Sequence, residues 1–346
     1  MSVDFHAHLA REDPEAPAFL RHMFDVEGYL ERQEAAGIDV TVLSYGISDI
    51  EGKPEELDQG KSENDFIAGL VSEHPDRFVG FPGVDPFGGS PWLEEAERVL
   101  DDGAAGLCLP TSRNGRYLDS DDAQDFLALA NDRGTVVFLH PSESAIDMKR
   151  AGDPTLDAWI GRPYDTGICL SRMLLADTLG RYPNVRMVVA HCGGMLPMLL
   201  GRLDYVQDGL ERRAKLMAGG GPPGGGGPPG GGPPGGGGGP GPPGGKGPPG
   251  GGLPDDVKLR PSLDGTRASE RIGQLYFDTA GYHLAAISAA IGAVGIDRIV
   301  LGTDYPPAGE SPQPALDVLE QMDLEQGDRE KILFQNAREL LDLPTT

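Results

Sequence analysis

Cysteine is scarce. Cys108, Cys169 and Cys192 are odd in number and scattered through apolar stretches, so no disulfide framework is expected and a reduced, cytoplasmic setting suits the chain. No apolar run reaches the roughly 18 residues a membrane-spanning helix needs. The opening residues lack a charged stretch leading into an apolar core, so no secretory leader is expected. Positive charge is also short: 29 Lys and Arg stand against 54 Asp and Glu, a formal net charge of −25. That balance argues against nucleic acid and anionic membrane as partners, and it means that an anionic substrate must be met by local cations or a metal. A Gly-x-Gly-x-x-Gly turn after the first apolar strand is missing, which leaves an open dinucleotide-binding sheet as a weakly supported alternative.

What is present is a repeat of short apolar runs and helical patterns along 346 residues. Strands are expected near 3–8, 38–44, 77–82, 105–109, 135–140, 185–191, 275–278 and 298–304. Between and after them lie helical patterns near 26–36, 62–74, 90–102, 121–132, 166–181, 195–217, 283–294, 313–322 and 327–341. The near-continuous Val/Ile/Leu character of the strands fits a parallel sheet covered on both faces. Eight βα units predict an α/β fold of the TIM type, a distorted (β/α)8 barrel forming one domain over residues 1–346. One stretch breaks the rhythm: residues 219–252, between the sixth helix and the seventh strand, hold 22 Gly, 11 Pro and the single Lys246. With no Gly-X-Y period and no apolar side chains, it is expected to be a disordered or locally polyproline-like insertion. Its alternative is a docking segment for a proline-reading domain. Closing it costs only about 1.5 kcal/mol more than a six-residue loop by the logarithmic length rule.

The chemistry gathers at strand ends. In Val3-Asp4-Phe5-His6-Ala7-His8 the period-two pattern sends His6 and His8 to one side, roughly 6–7 Å apart along the strand, close enough to close on one metal ion. His140 ends the fifth strand, His191 the sixth and Asp304 the eighth. A barrel keeps its active site at the C-terminal ends of its strands, and four of the chain's seven histidines stand there, whereas His22, His74 and His283 fall in or beside helices.

His6-Ala7-His8, Leu139-His140-Pro141, Ala190-His191-Cys192-Gly193-Gly194, Phe277-Asp278-Thr279, Gly302-Thr303-Asp304-Tyr305-Pro306 and the closing Asn336-Ala337-Arg338-Glu339-Leu340-Leu341 together resemble the amidohydrolase superfamily. The likeness is to its amidohydrolase-2 branch, which includes aminocarboxymuconate-semialdehyde and γ-resorcylate decarboxylases, and it covers nearly the whole chain outside 219–252.

The resemblance implies one divalent metal held by His6, His8, His140 and Asp304. Three nitrogens and a carboxylate suit Zn2+, with Mn2+ as the alternative. The fourth strand ends Leu107-Cys108-Leu109-Pro110, without the lysine that bimetallic relatives use, so one metal is expected rather than two. His191 and Asp304 are the catalytic candidates, with His191 beside the metal as acid-base. Asp278 and Asp4 are expected to support the ligands from behind. Gly193 and Gly194 either bring the backbone close to substrate or form a plain turn. Arg202 matches an arginine that reaches a substrate carboxylate from a neighbouring subunit in decarboxylases of the branch, which implies a homodimer or higher homo-oligomer; its alternative is an ion pair with Asp204 or Asp208. The loop 141–165 offers Trp159, Arg162 and Tyr164 as substrate-binding candidates and a lid, with Arg113, Arg116 and Tyr117 as lesser ones.

The resulting expectation is a metal-dependent, non-oxidative decarboxylase of an aromatic or unsaturated carboxylic acid, a small-molecule carboxylate substrate. The alternatives are a hydrolase of a lactone, amide or cyclic substrate at the same site, and a catalytically silent barrel that works through 219–252.

Overall fold

The computed structural model describes residues 2–12, 18–44, 56–142, 144–145, 156–218, 262, 264–307 and 309–344. The Gly/Pro-rich stretch 219–252 and much of 141–165 lie outside the described residues.

Eight parallel strands form in the expected order: β1 Val3–Ala7, β2 Val40–Ser44, β3 Phe78–Phe81, β4 Gly106–Pro110, β5 Val136–His140, β6 Arg186–Val189, β7 Leu275–Asp278 and β8 Ile299–Val300. They pair as β1-β2-β3 and as β8-β7-β6-β5-β4. Backbone hydrogen bonds join the two sheets at both seams. Phe5 donates to the Leu301 carbonyl at 2.8 Å and Asp304 to the His6 carbonyl at 2.7 Å, beside a parallel bridge from Ala7 to Tyr305. At the other seam Cys108 donates to the Pro82 carbonyl at 2.8 Å, and Gly83 bridges Cys108. The result is a (β/α)8 barrel. No helix among the described residues is long and apolar enough to cross a membrane.

The apolar runs divide by alternation. Val3 and Phe5, Val40 and Val42, Phe81, Cys108, Val136 and Phe138, Val188 and Val300 pack into one cluster, with Tyr276 of β7 against it. This cluster draws on all eight strands and fills the barrel's interior, and Phe5 meets the rings of Phe81 and Phe138 edge-on at 5.4 and 5.9 Å. Intervening residues such as Leu107, Leu109, Val137, Leu139, Val189 and Phe277 join the larger core shared with the helices. On β5 the inward series Val136–Phe138 ends at His140, which places its ring on top of the packed interior.

Two local departures shape the top of the barrel. The register of β1 against β2 shifts between Asp4 and Ala7. After β6 the residues His191, Cys192, Gly193 and Gly194 all take positive φ. A Cβ on Gly193 would strike the Phe277 ring, and one on Gly194 would strike the Pro163 carbonyl, so this turn admits only glycine at those two places. The glycines bring the backbone close to β7 and to the helix Arg162–Ala176 rather than to the cavity. A two-residue hairpin, Ser112–Arg113 with Arg116–Tyr117, follows β4 and was not marked by any apolar pattern.

Candidate active site

The strand-end side chains converge above the interior cluster. One ligand atom from each of His6, His140, His191 and Asp304 lies within 4.8 Å of the others. His8 joins them, with its Nε2 3.1 Å from His6 Nε2 and its ring centroid 4.8 Å from that of His140. His6 is fully buried and His8 nearly so.

The tautomers follow from the partners. His6 Nδ1 lies 2.6 Å from Asp278 Oδ2, and a carboxylate can only accept, so the Nδ1 carries the proton. His8 Nδ1 lies 3.0 Å from the Ser44 carbonyl, which also only accepts. With both rings neutral, the two Nε2 atoms present lone pairs 3.1 Å apart, and Asp304 Oδ1 lies 3.3 and 3.4 Å from them. Two lone pairs and a carboxylate oxygen pointed at one place repel unless positive charge stands among them. That donor set fits a divalent cation. His140 Nδ1 and His191 Nδ1 are buried and have no partner among the described residues, leaving those rings open to a non-protein partner.

The same demand for positive charge shows in the titration of the protein groups alone. Burial disfavours a charged His6, but the Asp304 and Asp278 carboxylates outweigh it and push its pKa up to about 10. Burial opposes the charge on Asp304 as well, yet His6, His191 and His8 hold it well below the usual carboxylate range. Burial, reinforced by the surrounding histidines, drives His140 well down and so favours the neutral ring that a ligand must be.

Asp304 is two-sided. Its Oδ1 faces His6 and His8, whereas its Oδ2 lies 3.4 Å from His191 Nε2. Its φ is +49°, and its amide is tied to the His6 carbonyl, so the strained backbone is held by the β1–β8 seam.

Asp278 is a busy support: besides His6, its Oδ1 accepts the amides of Cys192 at 3.0 Å and Ala280 at 3.1 Å. It thus couples β7, β1 and the turn that carries His191. Asp4 does not touch a candidate ligand's ring. It accepts the Thr303 amide and hydroxyl at 3.0 and 2.6 Å and the His6 amide at 3.1 Å. Its support is to backbone.

His8, His140, His191 and Asp304 floor a cavity of about 720 Å³. Its walls are largely apolar, with Leu9, Leu20, Met23, Ala158, Trp159 and Pro163 among the lining. Arg162 lines it, with its Nε buried and unpartnered among the described residues. Trp159 lines it too and is 75% exposed. Tyr164 is exposed and lies outside the lining.

Arg202 also lies outside the cavity, exposed on the helix Leu200–Ala218. The proposed surface pairings are taken: Asp204 accepts from the Ser269 amide and hydroxyl, and Asp208 pairs with Arg267 at 2.5 Å. The lesser candidates after β4 are engaged elsewhere. Arg113 pairs with Glu56, Arg116 donates to the Phe87 carbonyl, and Tyr117 donates to Asp165. Two participants escaped the sequence reading. Tyr282 lines the cavity and pins the Thr303 carbonyl at 2.7 Å, and Ser44 holds His8 through a backbone oxygen that no side-chain motif records.

The model of a family described as Amidohydrolase (Amidohydro_2) matches residues 3–343. A 2-amino-3-carboxymuconate-6-semialdehyde decarboxylase of Dictyostelium discoideum is 25% identical, with 99% of this chain and 85% of the relative covered. A γ-resorcylate decarboxylase of Polaromonas sp. is 22% identical, with 96% and 92% covered. The solved structure of a 5-carboxyvanillate decarboxylase from Novosphingobium aromaticivorans, complexed with manganese and 4-hydroxy-3-methoxy-5-nitrobenzoic acid, is 20% identical. It matches with a TM-score of 0.77 over 99% of this chain and 96% of that one, a likeness of fold.

Proposed function

This chain belongs to the amidohydrolase family whose model spans nearly all of it, and from that premise we propose that it is a metal-dependent, non-oxidative decarboxylase of an aromatic or unsaturated carboxylic acid. The observation that carries the reading is the two-sided Asp304, one oxygen set among the imidazole lone pairs and the other beside His191. His6, His8, His140 and Asp304 would hold one divalent ion. When bound, such an ion supplies the positive charge that polarises a substrate carboxylate or a neighbouring hydroxyl. Three nitrogens and one oxygen favour zinc; manganese, present in the structure of the relative, is the alternative.

The rest of the work falls to the chain. Decarboxylation without a redox cofactor needs a proton on the carbon that bears the carboxylate. His191 and Asp304 share a contact through which a proton can be held and passed on, and both line the cavity. Protonation of that carbon lets the carbon–carbon bond electrons return to the unsaturated system as CO2 leaves, so one carboxylate and one proton give one CO2 and the shortened product. Arg162 is placed to meet an anionic group of the substrate, and Trp159 gives a flat apolar wall for a ring. We assign the exposed stripe of Arg202, Tyr205 and Val206 to contact with a second copy of the chain, making the enzyme a homodimer or higher homo-oligomer. The three free, buried cysteines accord with a reduced, cytoplasmic setting.

Metal-loaded protein incubated with hydroxybenzoates and muconate-type acids tests the reading. Release of CO2 is expected. Ring opening of a lactone or cyclic amide without CO2 would replace it with hydrolysis at the same site.

A further inference from the structure

Arg162 and Trp159 stand close together in the chain, at the cavity end of one helix. Trp159 lies in the π-helical turn Asp157–Gly161, which runs directly into the helix Arg162–Ala176. Three residues beyond Arg162, in the first turn of that helix, Asp165 is 1% exposed. Its carboxylate accepts from three hydroxyls: Thr111, Ser112 at 2.9 Å and Tyr117 at 2.8 Å. All three donors belong to the chain just after β4, and Ser112 and Tyr117 face each other across the small hairpin. No Lys, Arg or His pairs with Asp165 among the described residues. The nearby Arg172 is committed to Asp119, at 2.7 and 3.0 Å, and lies over the Tyr117 ring.

We propose that Asp165 is the positioning residue of the cavity's recognition wall, clamping the Trp159–Arg162 segment to the loop after β4 and so setting where Arg162 and Trp159 stand. The proposal rests on the reading of that cavity as the substrate site. The Arg172–Asp119 pair holds the same helix seven residues further on, about 10 Å along its axis, and Thr166 and Gly167 pack against the turn 194–196. Loss of the Asp165 clamp therefore leaves the helix attached, while Arg162 and Trp159, which precede these contacts, lose a polar anchor. A carboxylate satisfied by three hydroxyls from one short stretch, with the helix N-terminus behind it, fixes both distance and rotation.

The experiment uses Tyr117→Phe, which removes one hydroxyl and keeps the ring under Arg172, alongside Asp165→Asn. Both are made in a Trp92→Phe background, so that Trp159 is the single tryptophan of the two in the chain. The expected result is a fall in Trp159 fluorescence anisotropy in the metal-loaded protein. With it should come a rise of about ten-fold in KM for the decarboxylated acid while kcat stays within about three-fold, the pattern of a displaced binding group. A lowered melting temperature with anisotropy and KM unchanged would overturn the proposal, because that is what a purely structural tie would give. If Asp165→Asn does not fold, Tyr117→Phe and Ser112→Ala decide the matter. The fluorescence needs no turnover, so absence of CO2 release would sink the decarboxylase reading and leave the clamp to be judged by anisotropy alone.

Discussion

The floor of the cavity and its wall are built on opposite plans. On the floor, the faces of His6, His8 and Asp304 that turn away from the cavity meet buried partners from different strands: Asp278 behind His6, the Ser44 carbonyl behind His8, and the His6 carbonyl on the Asp304 amide. On the wall, Trp159 is largely exposed, the Arg162 Nε has no partner among the described residues, and Asp165 provides the polar anchor. The contrast assigns tasks. Cross-braced groups keep a geometry to within the fraction of an ångström that bond-breaking chemistry needs. Side chains such as Trp159 that end in the open cavity can change in shape and charge at little cost to the fold, which suits the choice of substrate.

Substitutions can break that division of labour, beginning with the heaviest blow. Asp304→Asn removes a charge from the metal-facing side and a proton partner from His191 together, and should lower kcat by at least ~10³-fold with loss of bound metal, read by turnover and elemental analysis. His191→Ala should retain metal while lowering kcat by roughly 10²–10⁴-fold, the span of general acid–base catalysis; full activity would remove it from the mechanism. Asp278→Asn leaves every candidate ligand in place but loosens the His6 ring, and a loss of about 10–100-fold in metal affinity is expected from competition with a chelating dye. On the wall the signature should change. Arg162→Ala should raise KM by about ten-fold or more with a smaller change in kcat, since a binding contact is lost rather than a reacting group. Trp159→Ala should shift the relative kcat/KM of one-ring and open-chain acids by about 2–12-fold, the worth of about 0.5–1.5 kcal/mol for an aromatic contact. If the wall variants cost kcat as heavily as the floor variants, the contrast fails.

Much of the floor was legible because each reactive residue ends an apolar run: Val136-Val137-Phe138-Leu139 leads to His140, and Ile299-Val300-Leu301 leads toward Asp304. Strand order and the eight-fold repeat followed from the same runs. Asp4 was harder. A strict period of two puts it on the side of His6, but its carboxylate meets Thr303 and the His6 amide rather than a ligand's ring. The Ser44 carbonyl was beyond reach because backbone atoms carry no sequence label. Gly193 and Gly194 were visible as glycines, but the ring and carbonyl that demand them come from Phe277 and Pro163, distant in the chain. Asp165 was invisible for a similar reason, since its donors are Thr111 and two residues of a hairpin too short to show a pattern.

The seam that ties β1 to the end of the chain has a kinetic consequence. Thr303 and Asp4, which brace His6 and Asp304, are separated by 299 positions, so these two candidate ligands come together only when the last strand returns to the first. Contacts of such long range form late and slowly. The ion would therefore bind only the completed ring, and at a free concentration 100-fold above its dissociation constant it would add about 2.7 kcal/mol against reopening. The first and last strands, otherwise the natural place for a cylinder to unzip, become the place where occupancy of the site is converted into resistance to unfolding.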